Sequence, residues 1–128
     1  MSPIADMLNH MKNAGPAGKH NVVVGYSKLK ENIAQVLKEE GFIKSFEKKT
    51  KGNKNFLSLE LYIENRIPKI KGVKHHSKPS KRIYRKASEI RPVKHAYGLL
   101  VLSTPKGVMA GHKAKKASLG GEALFSIW

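Results

Sequence analysis

Residues 56–73 read FLSLELYIENRIPKIKGV, and this stretch decides how the chain divides. Leu57, Leu59, Leu61 and Ile63 alternate with Ser58, Glu60 and Tyr62, the period-two pattern of a strand with one buried face. At Asn65-Arg66-Ile67-Pro68 a proline interrupts and the charge balance changes, so this is the expected junction. Beyond it Ile67 to Val73, with Lys69, Lys71 and Lys74 interleaved, reads as a basic-faced strand. The chain is therefore expected to be α+β with two small domains, residues 1–65 and 66–128.

Working upstream, Ser2 is placed to cap a helix, Pro3 suits its first turn, and Ile4, Leu8 and Met11 follow at helical spacing until Ala14-Gly15-Pro16. Three valines in residues 21–26 signal a strand. Ser27 starts a second helix with Leu29, Ile33, Val36 and Leu37 on one face and Gly41 closing it. Residues 42–48 follow as a strand and 49–55 as a polar turn. The first unit thus reads helix-strand-helix-strand-strand. Downstream, residues 82–86, 98–104 and 121–128 read as strands, the last alternating Ala123, Phe125 and Ile127 against Glu122, Leu124 and Ser126. A short helix fits near residues 113–118. The second unit is expected to be mainly antiparallel β.

Charge is divided as unevenly as structure. Of 128 residues with a net charge of +16, residues 1–64 hold ten bases and seven acids, whereas residues 66–128 hold fifteen bases and two acids, Glu89 and Glu122. A local excess of +13 opposes folding by self-repulsion and points to a polyanionic partner. There is no cysteine, which excludes disulfides, thiolate chemistry and Cys-type zinc sites. The longest apolar candidate, Leu99 to Leu102, is too short to span a membrane, and no signal-peptide core follows Met1, so the expected compartment is the cytoplasm. No paired carboxylates, Ser–His–Asp set or phosphate-binding glycine motif is present, so no enzyme and no cofactor is expected.

Several clusters carry chemistry. Leu99-Leu100-Val101-Leu102 ends abruptly in Ser103-Thr104-Pro105-Lys106-Gly107, where two hydroxyls, a cation and a glycine could contact phosphate and sugar. The same residues could equally form a turn whose hydroxyls serve the local backbone. Gly120-Gly121-Glu122 is either a hairpin turn with one solvated acid, or a place where a carboxylate accepts from a base amino group or neutralises a neighbouring lysine. Tyr84, between Arg82, Arg85 and Lys86, suits stacking on a sugar or base, or half-buried packing. His75-His76 lacks the acids and thiols of a metal site, and none is expected.

Four motifs in order resemble one family. Residues 2–8 (SPIADML) with Lys12-Asn13-Ala14, then Ser77-Lys78-Pro79 with Arg82-Ile83-Tyr84, then residues 98–109 (GLLVLSTPKGVM), then residues 120–124 (GGEAL) with Ile127-Trp128, are similar to the bacterial-type small-subunit ribosomal protein S-eight family. The resemblance is collinear from Ser2 to Trp128. It implies an α/β domain followed by a mainly β domain, and a primary binder of the central domain of small-subunit ribosomal RNA that clamps an irregular helix and supports subunit assembly. Carried over, its main RNA loop falls on Ser103, Thr104, Lys106 and Gly107, with Gly120, Gly121 and Glu122 beside it and Tyr84, Lys86, Ser77 and Lys78 flanking. Asn9, Lys12 and Asn13 on the first helix would touch a second RNA segment. Neighbouring small-subunit proteins, among them S-five, are implied as partners; no membrane or small-molecule substrate is. Two departures stand out: residues 110–115 (AGHKAK) lack the usual cap and acid of the next helix, and Ser80 replaces a glycine.

Overall fold

The computed structural model describes residues 3–65, 67–92 and 98–128. The Ser2 cap and Arg66 at the junction lie outside the described residues. Two units are distinguished, Pro3–Lys71 and Gly72–Trp128.

In the first, α1 (Pro3–Ala14) buries Met7, Leu8, Met11 and Ala14. It is followed by β1 (Asn21–Gly25), α2 (Lys28–Glu39), β2 (Ile43–Lys51), β3 (Lys54–Leu61), β4 (Ile63–Glu64) and β5 (Ile67–Pro68). Ser27 is extended and its hydroxyl accepts from the amide of Lys30 (3.1 Å), the bond that satisfies a free donor at the start of α2. At the other end the amide of Phe42 donates to the Leu37 carbonyl (2.8 Å) and that of Gly41 to Lys38 (3.1 Å). Gly41 sits at φ +82°, the left-handed position this closure requires. Ile33, Val36 and Leu37 are buried as their spacing implies, but Leu29 stays 38% exposed. The antiparallel sheet has the order β1-β3-β2, and Leu57, Leu59 and Leu61 of its central strand are buried. Each such leucine contributes about 1.5–3 kcal/mol.

The basic-faced strand expected over residues 67–73 is broken. Ile67–Pro68 pairs with β4, and a separate β6 (Val73–His75) belongs to the second unit. Pro68 has no amide to extend a ladder. Ile70 is buried between the exposed Lys69 and Lys71, as their interleaving implies, although no strand forms there.

The second unit continues with β7 (Tyr84–Arg85), a 3₁₀ turn (Ala87–Glu89), β8 (Leu99–Thr104), β9 (Gly107–Ala110), α3 (Gly111–Lys116) and β10 (Gly121–Ile127). The order is β6-β10-β8-β9, with β7 also on β10. All the pairs are antiparallel. Thus β10 is the spine: one edge takes β8, and the other takes β7 at its start and β6 at its end. The strand expected over residues 82–86 shrinks to Tyr84–Arg85. The simple alternation expected along β10 fails, because the register shifts between Ala123 and Phe125 and every residue from Ala123 to Ile127 is buried. A bulge there moves Phe125 to the face that Glu122 occupies. The helix starts earlier than expected. Ala110 gives it no side-chain cap, and it ends with Ser118 at φ +57°, a left-handed position filled by a residue with a Cβ.

Candidate nucleic-acid interface

Antiparallel pairing sets the site. Ser103 lies opposite Glu122, and Glu122 opposite Tyr84, so three strands present Ser103, Glu122 and Tyr84 in one row. Directly opposed residues share a face. The next pair, Leu102 and Ala123, therefore points the other way. There Leu102, Ala123, Ile90 and Ala114 form a buried cluster, with Ile83, Leu100, Met109 and Leu119 packed on it. The alternation that anchors the sheet on α3 thus aims the polar row outward.

Within the row, exposure differs by residue. Tyr84 is 67% exposed, with its ring available for stacking. Glu122 is mostly covered and its Oε2 accepts from Arg82 Nη1 at 3.2 Å, so the neutralising cation is an arginine from the preceding segment, not a lysine. That pairing brings residues 40 apart together, and local sequence gave no sign of it. Ser103 is half-buried, and no hydrogen bond to its hydroxyl occurs among the described residues.

Thr104 behaves differently from its neighbour. It is 8% exposed, its hydroxyl donates to the Gly107 carbonyl (2.8 Å), and it accepts from the Lys106 amide (3.2 Å). Thr104 and Gly107 close a two-residue hairpin over Pro105-Lys106, and Gly107 takes φ +115°. Of the two readings of this loop, the local-turn reading fits Thr104, while Ser103 and the exposed Lys106 face away from that duty. The local-turn alternative is realised in Thr104, and Ser103 makes no such turn bond among the described residues.

Gly120 and Gly121 are required for close approach. A Cβ on Gly121 would overlap the Ser103 carbonyl oxygen, and one on Gly120 would lie 2.6 Å from the Arg85 carbonyl oxygen. The pair lets β10 begin wedged between the end of β8 and the end of β7. Ser77 and Lys78 shape the flank: the Ser77 hydroxyl accepts from the Ile83 amide (2.9 Å) and donates to its carbonyl (3.3 Å), and Lys78 and Lys81 close the Pro79-Ser80 turn through both backbone groups. Lys86 is exposed beyond β7, with its amide donating to Glu89 Oε1 (2.8 Å). So eight of the expected residues lie together at one end of the sheet: Ser103, Glu122 and Tyr84 in the row, with Thr104, Lys106, Gly107, Gly120 and Gly121 around it. Ser77, Lys78 and Lys86 border it. Asn9, Lys12 and Asn13 belong to the other unit, exposed on α1.

His76 is part of the second unit's scaffold. Its Nε2 lies 2.7 Å from Ser126 Oγ, and burial, with Lys74, Arg85 and His75 nearby, holds its pKa below the ordinary histidine value. Among the described residues, no group of three His, Cys, Asp or Glu is placed to hold a metal, and no helix is long and apolar enough to cross a membrane.

Comparison with known proteins extends over the whole of this architecture. A family model described as ribosomal protein S8 matches residues 2–128. The chain is 43% identical over 132 residues to the small ribosomal subunit protein uS8 of Persephonella marina, covering 98% of this chain and 97% of the relative. It is 45% identical over 127 residues to the protein of the same name from Roseiflexus castenholzii (98% and 96%), and 42% over 125 residues to that of Paracidovorax citrulli (98% and 95%).

Proposed function

The chain belongs to the ribosomal protein S8 family, whose members are structural proteins of the small ribosomal subunit and not enzymes, and from that premise we propose that it clamps the central domain of small-subunit ribosomal RNA. In this reading the unit Gly72–Trp128 is the principal RNA-binding domain, and the protein works in the cytoplasm as part of the assembling subunit. The observation that carries the proposal is the row Ser103–Glu122–Tyr84, an aromatic ring, a hydroxyl and a held carboxylate side by side on a sheet whose flanking segments supply Lys78, Lys81, Arg82, Lys86 and Lys106.

Each part has a task. Lys106, Lys86 and Lys78 neutralise phosphates and supply affinity that falls with salt. Tyr84 stacks on a sugar or unstacked base, while Ser103 and Glu122 take hydrogen bonds that only an irregular RNA offers. Thr104, Gly107, Gly120 and Gly121 hold the surface in shape. Asn9, Lys12 and Asn13 meet a second RNA segment, and ribosomal neighbours, S-five among them, complete the surroundings.

The test is a competition at matched salt between a central-domain RNA fragment and duplex DNA of equal length. Preference for the fragment by tenfold or more is expected. Equal affinity would replace this reading with that of an architectural binder acting through charge alone.

A further inference from the structure

Residues 1–64 hold ten bases against seven acids, and much of that excess is concentrated in the β2–β3 hairpin. Residues 48–54 read KKTKGNK, with four lysines and no acid. The register fixes where they point. Lys51 stands directly opposite Lys54, and Lys49 directly opposite Phe56, so Lys49, Lys51, Lys54 and the half-buried Phe56 share one face. The three lysines are exposed, and among the described residues none of them has an ion pair. The other face is occupied: Thr50 Oγ1 donates to Asn55 Oδ1 at 2.8 Å, and Lys48 Nζ sits 4.3 Å from the Tyr26 ring centre.

This arrangement is unfavourable for folding alone. Like charges directly opposed across a ladder are destabilising. The tip is nevertheless tightly built, with Gly52 at φ +64° in a two-residue connection and the Thr50–Asn55 bond behind it. A rigid hairpin that holds three unpaired amines on one face is preorganised for a polyanion. Lysine, a compact point charge without the planar fork of arginine, suits phosphates approached from varied directions. Phe56 beside Lys49 adds an apolar edge against which a ribose can rest.

We propose that Lys49, Lys51 and Lys54 form a second, sequence-independent RNA contact, separate from the surface around Ser103. The occupant is the phosphate backbone of ribosomal RNA outside the fragment that the second unit recognises. This choice rests on the proposed function, which puts the chain in an RNA-rich particle. An acidic protein segment is the competing occupant.

The experiment compares the wild-type chain with a variant carrying Lys49→Gln, Lys51→Gln and Lys54→Gln. Binding to a central-domain fragment and to full-length small-subunit RNA is measured from 50 to 400 mM salt. On full-length RNA the slope of log affinity against log salt is expected to flatten by about 2–3, and affinity near physiological salt to fall roughly 10- to 100-fold. On the fragment the two proteins should agree within about twofold. An unchanged slope on full-length RNA overturns the proposal and leaves the acidic segment as the occupant. An equal loss on both RNAs overturns the separateness of the contact. Absence of fragment preference in the wild type would undo the proposed function instead, and the full-length slope would still report on the hairpin.

A second variant, Lys54→Glu, guards against a folding artefact. It turns cross-strand repulsion into attraction, so its thermal midpoint should hold or rise while affinity for full-length RNA falls. A lowered midpoint would overturn the argument from cross-strand repulsion.

Discussion

Ser103 and Thr104 are adjacent hydroxyls to which the structure and the proposed function together give different duties, and one pair of substitutions separates them. Thr104→Val keeps shape and removes two hydrogen bonds, to the Gly107 carbonyl at 2.8 Å and from the Lys106 amide at 3.2 Å. A typical net value is about 0.5–1.5 kcal/mol each. Lys106 and Gly107 are exposed, so water can take over part of the loss, and about 1–2 kcal/mol is expected. In a unit of this size that corresponds to a fall of roughly 5–15 °C in unfolding midpoint. Ser103→Ala breaks no described bond and should change stability by less than about 0.5 kcal/mol. It should instead weaken the central-domain fragment by roughly 3- to 10-fold, the value of one hydrogen bond, while leaving duplex binding unchanged. Trp128 is the only tryptophan and its indole lies against Gly72, so its fluorescence follows the second unit. Fragment binding is measured well below either midpoint. If Ser103→Ala lowers the midpoint as much as Thr104→Val, or if Thr104→Val alone loses fragment preference while folded, the division of labour is wrong.

Three more outcomes follow from local geometry. Gly121→Ala drives a methyl group into the Ser103 carbonyl and should destabilise the second unit by about 1–3 kcal/mol, seen as an earlier tryptophan transition; an unchanged midpoint would contradict the close approach of β8 and β10. Ser118→Gly relieves the left-handed conformation that closes α3 and should stabilise by roughly 0.5–1 kcal/mol in denaturant titration, whereas a loss would show that the Cβ is not strained there. For His76 the folded pKa lies below the unfolded value near 6.5, so the unfolded chain binds the proton first and stability falls as pH drops below about 6.5. His76→Gln should flatten the stability profile between pH 7.5 and 5, and a profile as steep as the wild type's would rule this histidine out as the cause.

What the sequence revealed was whatever its local order determines. Leu57, Leu59 and Leu61 announced the central strand, and Ser27 with Gly41 bounded α2, because a period or a cap is a relation between residues a few positions apart. The Ser103–Gly107 and Gly120–Glu122 segments stood out by composition. What stayed hidden depends on partners distant in the chain. The bulge at Leu124 lies where β10, paired with β8 on one edge, passes from β7 to β6 on the other. Gly120 and Gly121 looked like turn residues, yet neither takes a positive φ, and both are needed because another strand's backbone crosses within contact distance. The strand β9 was missed altogether, since Gly107-Val108-Met109-Ala110 acquires its pattern only by pairing with β8. Leu29, placed on the apolar face by spacing, stays exposed because the face extends beyond what packs on it.

Glu122, one of the two acids in the basic half, illustrates how such distant pairing changes a functional argument. An unpaired carboxylate at a phosphate-binding surface would repel its ligand. Glu122 is instead held by Arg82 through Oε2, which cancels its charge at the distance of an approaching phosphate while leaving Oε1 able to accept a further hydrogen bond. A carboxylate neutralised in this way can take a base amino group without opposing the backbone that carries it. The exposed lysines cannot discriminate in the same manner, since a point charge on a flexible stem accepts any phosphate. Under the proposed function, discrimination therefore falls to the residues that the sheet holds, Ser103 and Glu122, and attraction to the exposed lysines.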